Sequence, residues 1–213
     1  RERDWETPTQ TADKPAPPPL DLADAGWDEL RRRTAACERC DLCRLDRDQV
    51  VFGAGNERAD LMFIGHVPGS ADNREGIPFS GEVGDLLTRI IQAMQFDRDE
   101  VYLTNLVKCH PPRERSPKAD EIAACRPYLE RQIQLVQPRV IVAMGENVFR
   151  LLTGQRGLSK NRGQWFKYHD IDVMPTHHPA FLRRKPESKR DVWDDMQKVM
   201  AVFGKQPPTA GKG

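Results

Sequence analysis

The sequence predicts one α/β domain, a three-layer α/β/α sandwich around a central, largely parallel sheet. Two observations carry this. Runs such as Leu61-Met62-Phe63-Ile64 and Val140-Ile141-Val142-Ala143-Met144 are apolar at every position, as strands covered on both faces must be. Between such runs lie stretches with apolar residues at helical spacing, and alternation of strand and helix is the mark of a parallel sheet. The 213 residues suffice for one sizeable core. Residues 21–203 are read as that domain. Residues 1–20, with five prolines and no apolar period, are expected to be a disordered tail, as are residues 204–213.

Taken in order, Leu22, Trp27 and Leu30 allow a helix within Leu20–Ala36, its Arg31-Arg32-Arg33 read as a solvated face. Cys37, Cys40 and Cys43 follow at C-x-x-C spacing, which lets two thiolates hold one metal centre. Val50-Val51-Phe52 is a short strand candidate, and Asp60–Gly65 a stronger one. A long loop, 66–80, leaves that strand before a helix over Gly81–Met94. Val101–Thr104 is the next strand. The helical stretch Lys118–Val136 contains Pro127, which lacks the N–H of a helix interior and is expected to kink or restart it. Strand Val140–Gly145 and short helix Glu146–Leu152 come next. Gln164–Tyr168 and Ile171–Met174 read as a hairpin around His169-Asp170. A loop over 175–187 precedes the last amphipathic helix, 187–203.

Composition sets bounds. Lys plus Arg (33) and Asp plus Glu (32) nearly cancel, so bulk charge does not announce a polyanion binder. No membrane span or secretory signal is visible, and a cytoplasmic location is expected. Five cysteines, an odd number, fit a reducing compartment and a zinc or iron–sulfur site better than a disulfide scaffold.

The chemistry-bearing residues sit in three loops that leave strand ends, 66–80, 105–117 and 175–187. In a parallel sheet these ends share one side, where α/β folds bind ligands. One pocket is then expected to hold His66, Asp72, Phe79, Asn105 and His178. An aromatic face, an amide with donor and acceptor side by side, imidazoles and an acid suit a base held outside a duplex. Basic clusters at 113–118 and 183–190 would flank the mouth and take phosphates. Each residue alone has a plainer reading: Asn105 as a turn former, Asp72 as a cap, Phe79 as core.

These motifs resemble the family 4 uracil-DNA glycosylases, which carry a [4Fe-4S] cluster. The likeness spans about residues 37–203. It rests on Cys40-x-x-Cys43, Gly65-x-x-Pro68-Gly69, Gly76-x-Pro78-Phe79-x-Gly81, Thr104-Asn105-x-Val107-Lys108-Cys109, Cys125 and His178-Pro179-Ala180. The resemblance implies the uracil-DNA glycosylase fold, a monomer acting on uracil-containing DNA, and a cluster held by Cys40, Cys43, Cys109 and Cys125 with Cys37 spare. By the same resemblance Phe79 stacks on uracil, Asn105 reads its edge beside Gly65 and Val67, and His178 takes up charge on the leaving base. Leu182 and Arg183 would press into the duplex, with Arg113, Arg115 and Arg184 on phosphates. One departure stands out. The family has Glu where this chain has His66, and Asp72-Asn73 replaces an acidic pair, so His66 and Asp72 are the candidates for orienting water. That departure keeps open a shifted base preference (hypoxanthine, xanthine, a 5-substituted uracil) or a binding module without turnover.

Overall fold

In the computed structural model, residues 20–207 are described. The tail expected over 1–20 lies almost wholly outside them, as does the C-terminal one beyond residue 207. Six strands form one sheet: β1 (Ala54–Gly55), β2 (Leu61–Gly65), β3 (Tyr102–Asn105), β4 (Val140–Met144), β5 (Phe166–Tyr168) and β6 (Ile171–Thr176), in the order β1-β3-β2-β4-β6-β5. The four inner strands run parallel and the two edges antiparallel. The chain goes from β2 out to β3, then returns across β2 to β4. The direction of winding therefore reverses at β2, and the crevice at its carboxyl end is where such a sheet admits a ligand.

Among the described residues eight α-helices accompany the sheet: α1 (Trp27–Ala35), α2 (Ser70–Glu75), α3 (Gly81–Ala93), α4 (Ala119–Val136), α5 (Glu146–Thr153), α6 (Leu158–Asn161), α7 (Pro179–Arg184) and α8 (Lys189–Val202). Alternate residues of β2 serve opposite layers. Leu61 and Phe63 pack with Leu87 and Ile91 of α3 and Met196 and Val199 of α8. Met62 and Ile64 pack with Leu129 and Ile133 of α4 and Val148 of α5. This is the three-layer sandwich the apolar runs imply.

Several elements differ from expectation. Val50–Phe52 is not a strand. Val51 donates its N–H to the Lys108 carbonyl instead, and pairing with β3 begins at Ala54. The loop over 66–80 contains α2, closed by Gly76 in the left-handed conformation that glycine adopts without cost. Pro127 neither ends nor restarts α4, which runs unbroken through it. The expected tail from Gly204 begins ordered: Lys205 donates to the Gln95 carbonyl at 2.6 Å and lies over the Phe96 ring. Arg31, Arg32 and Arg33 are exposed, as the solvated-face reading has it, and pair on the surface with Glu57 or Glu29.

Candidate active site

The site is built on Gly65, the last residue of β2. Its register partner on β3 is Asn105. A side chain at Gly65 would displace both groups: a Cβ there would lie 2.4 Å from Asn105 Oδ1 and 2.5 Å from Phe79 Cζ. Glycine thus lets the amide and the aromatic ring approach over one bare backbone position. His178 joins from the end of β6, its ring centroid 5.9 Å from that of Phe79. The three loops converge as the strand ends require.

The polar atoms of this group are unpartnered. Asn105 is fully buried, yet its Oδ1 and Nδ2 and the Nε2 of His178 have no hydrogen-bond partner among the described residues. Buried polar groups left unpaired are rare and costly, and they mark a place where a ligand supplies the partner. The tautomer of His178 follows from its neighbour. Ala180 donates its N–H to His178 Nδ1 at 3.2 Å, so in the neutral ring the proton sits on Nε2, the unpartnered atom. Burial, with the nearby His66 imidazole, depresses His178 to about 4. His177 faces elsewhere, stacked on Phe181 with centroids 4.5 Å apart.

His66, pushed down to about 4 by burial, is also neutral near pH 7. Its Nε2 lies 2.6 Å from Nδ2 of Asn147. Asn147 opens α5 just beyond β4, so a fourth strand end contributes to the site. The sequence reading missed it, although a polar residue two positions after the Gly145 that closes a buried strand is the signal that would have found it.

Asp72 is placed differently from its expected role. Its carboxylate accepts the Ser80 N–H at 2.7 Å and the Gly69 N–H at 3.1 Å. It braces the loop that carries Phe79, which is the capping role weighed against catalysis. His110 does the same for the preceding turn, with Nδ1 2.8 Å from the Pro68 carbonyl oxygen. Leu182 is 1% exposed and packed in the core, so it is not available as a wedge into DNA. Arg115 makes a two-armed bridge to the fully buried Glu121, at 2.6 and 2.8 Å, and Arg183 is paired with Glu82. Arg113 and Arg184 are exposed. Val67 packs beside Val107 and Cys109, toward the cysteines rather than the pocket.

All five cysteines line one cavity, together with Lys108, Glu121 and Tyr128. Among the described residues no three Cys, His, Asp or Glu are set to hold a single metal ion. Burial pushes Cys40 up to about 11 and Cys125 up to about 12, so thiolates here need positive partners. Those are present: Lys108 acts on Cys125, and Arg47 Nη1 lies 3.7 Å from Cys109 Sγ. The donor set fits a thiolate-held cluster. Cys37 and Cys125 pack against the cluster around Tyr128, Cys40 and Cys125 against the one that holds Cys109, and Arg47 Nη1 also donates to the Cys37 carbonyl at 2.9 Å.

The neutral imidazoles have a consequence for stability. Between the ordinary histidine value of 6.5 and about 4, the unfolded chain takes up protons that folded His66 and His178 refuse. Their contribution is complete above pH 6.5 and is lost as pH falls toward 4. Asp195, raised to about 6 by burial, acts in the opposite sense over part of this range. The informative quantity is therefore a difference. The melting temperature of His66→Gln should fall less than that of the wild type between pH 7 and 4.5, and parallel curves would refute the assignment.

Comparison with known proteins agrees with this geometry. A family model described as the uracil DNA glycosylase superfamily matches residues 52–197. The chain is 37% identical over 200 residues to the type-4 uracil-DNA glycosylase of Saccharolobus solfataricus, covering 89% of this chain and 90% of that protein. It is 36% identical over 182 residues to the enzyme of the same name from Sulfurisphaera tokodaii, covering 81% and 82%. A third, from Thermotoga maritima, is 36% identical over 182 residues, covering 83% and 94%.

Proposed function

The chain belongs to the uracil-DNA glycosylase superfamily, and we propose that it is a base-excision repair glycosylase that cleaves uracil from DNA and leaves an abasic site. The observation that carries this reading is the trio of unpartnered atoms, Asn105 Oδ1, Asn105 Nδ2 and His178 Nε2, around a buried aromatic ring. Uracil presents an N3–H donor between two carbonyl acceptors. Asn105 Oδ1 accepts from N3–H while Nδ2 donates to O4, and His178 Nε2–H donates to O2. Cytosine reverses donor and acceptor along that edge and would leave the Asn105 amide mispaired, a large penalty in a dry pocket.

The reaction follows from these placements. A water oxygen bonds to C1′ as the C1′–N1 bond breaks, and the bonding pair leaves on uracil. The growing charge spreads to O2, where the His178 donor meets it, an interaction stronger in the transition state than in the ground state. Phe79 holds the ring in plane. The water proton passes to a neutral base. His66, held by Asn147, is the group assigned to orient that water in place of a carboxylate. As placed, Asn147 donates from Nδ2 to His66 Nε2 and the ring proton sits on Nδ1; turning the amide to present Oδ1 puts that proton on Nε2 and frees Nδ1 to accept from the water. Arg113 and Arg184 are assigned to phosphates at the mouth. The relatives that match most of the chain bear names of uracil glycosylases, which favours uracil over the shifted base preference and over binding without turnover. No helix of the described residues is long and apolar enough to cross a membrane. Cytoplasmic action on DNA, as a monomer, is part of the same proposal.

The cavity ringed by thiols is assigned to a [4Fe-4S] cluster, a structural tie between the segment after α1 and the loop after β3. Cys40, Cys109 and Cys125 are common to both candidate ligand sets. The fourth place, expected for Cys43, is assigned to Cys37, which packs with Cys125 against the Tyr128 cluster and whose carbonyl shares Arg47 Nη1 with Cys109 Sγ. Cys37→Ser should then lower bound iron and sulfide several-fold while Cys43→Ser retains them; the reverse outcome would restore Cys43 as ligand. The function itself is tested by incubating the protein with single- and double-stranded uracil-DNA followed by alkali. Strand breaks at uracil are expected, and intact strands with cluster-loaded protein would refute the reading.

A further inference from the structure

Phe79 has φ 57°, in the left-handed region that a bulky side chain enters only under constraint. The constraint is visible. Arg98, half-buried in the turn between α3 and β3, donates from Nη2 to the Pro78 carbonyl at 2.8 Å and to the Phe79 carbonyl at 2.9 Å. Its Nη1 donates to Thr88 Oγ1 at 2.9 Å, and Thr88 in turn donates to the Gly84 carbonyl. Gly84 completes the fit: a Cβ there would stand 1.7 Å from the Phe79 oxygen. On the other side of the same residue, Asp72 holds the Ser80 N–H.

We propose that Arg98 is a positioning residue for the reaction: it clamps the Phe79 peptide in its left-handed turn and so sets the spacing between the stacking ring and the Asn105 amide. The inference rests on the glycosylase reading above. A forked guanidinium is the side chain suited to this task, because it can donate to two consecutive carbonyls and a hydroxyl at once, and a lysine ammonium at the same position lacks that planar fork. Without it, two carbonyls lose their partner and the peptide is released toward ordinary φ. The ring then slides over Gly65, where the gap to Asn105 leaves no tolerance.

The test is a mutant cycle on single-turnover release of uracil. Displacing a positioning group by about 1 Å costs on the order of 100-fold, so Arg98→Ala should slow release roughly 30-fold, with the Kd for uracil-DNA changed less than about twofold. In a Phe79→Ala background the same change should cost nothing further, because its effect passes through the ring. Added guanidinium should recover part of the Arg98→Ala rate. An undiminished rate in Arg98→Ala, or the same loss with and without Phe79, would overturn the proposal. Thr88→Val, which removes one anchor of the guanidinium, carries the same cycle if Arg98→Ala does not fold. Absence of cleavage by the wild-type protein would instead count against the glycosylase reading itself.

Discussion

Asn105→Ala should slow uracil release by roughly three orders of magnitude, since two hydrogen bonds in a dry site at about 2 kcal/mol each amount to about 4 kcal/mol. The expectation follows from geometry. Asn105 is fully buried at the end of β3 and, among the described residues, neither polar atom of its amide has a partner. In the free enzyme that desolvation is a standing cost, recovered only when a base edge of matching pattern arrives. Truncation removes the cost along with the recognition, so the variant should be as stable as the wild type or more so. Rapid-quench kinetics and thermal melting on one preparation read both effects. A loss of rate below tenfold, or a destabilised variant, would mean that the amide is structural.

His178→Ala should cost about 100- to 1000-fold in the same assay, the usual loss when one donor to developing charge is removed. The structure adds a finer expectation. With Nδ1 engaged by the Ala180 N–H, His178 has a single proton to offer, on the unpartnered Nε2. His178→Gln retains a donor and should recover part of the loss, whereas His178→Phe preserves stacking beside Phe79 and should not. Because the imidazole is held near 4 by burial, the wild-type rate should show no decline assignable to His178 between pH 8 and 6. A rate that tracks a group titrating near 6.5 would refute the neutral-donor role.

Much of this was legible in the chain. The unbroken apolar runs at Leu61–Ile64 and Val140–Met144 fixed the parallel sheet, because only strands covered on both faces tolerate them. Convergence of His66, Phe79, Asn105 and His178 then follows from polarity alone. What escaped the sequence was direction within loops. Asp72 could not be seen to turn toward the Gly69 and Ser80 amides. Leu182 looks exposed after Pro179-Ala180 until α7 is found to fold it inward. Asn147 lies in the first turn of α5, a stretch that carries no motif. The basic clusters were ambiguous for a similar reason, since local charge does not reveal that Arg115 is bridged to Glu121, six residues on, or that Arg183 is paired with Glu82 from a distant segment.

Lys108 links the two halves of the molecule. Its side chain is 1% exposed and its ammonium donates to Thr104 Oγ1, the Asn105 carbonyl and Gln132 Oε1 at 2.6 to 2.8 Å. The next residue is Cys109. A single peptide unit therefore separates the thiol-lined chamber from the tether of Asn105. Modification of Cys109 is therefore expected to reach the Asn105 peptide through this amine, read as slowed uracil release at an unchanged melting temperature.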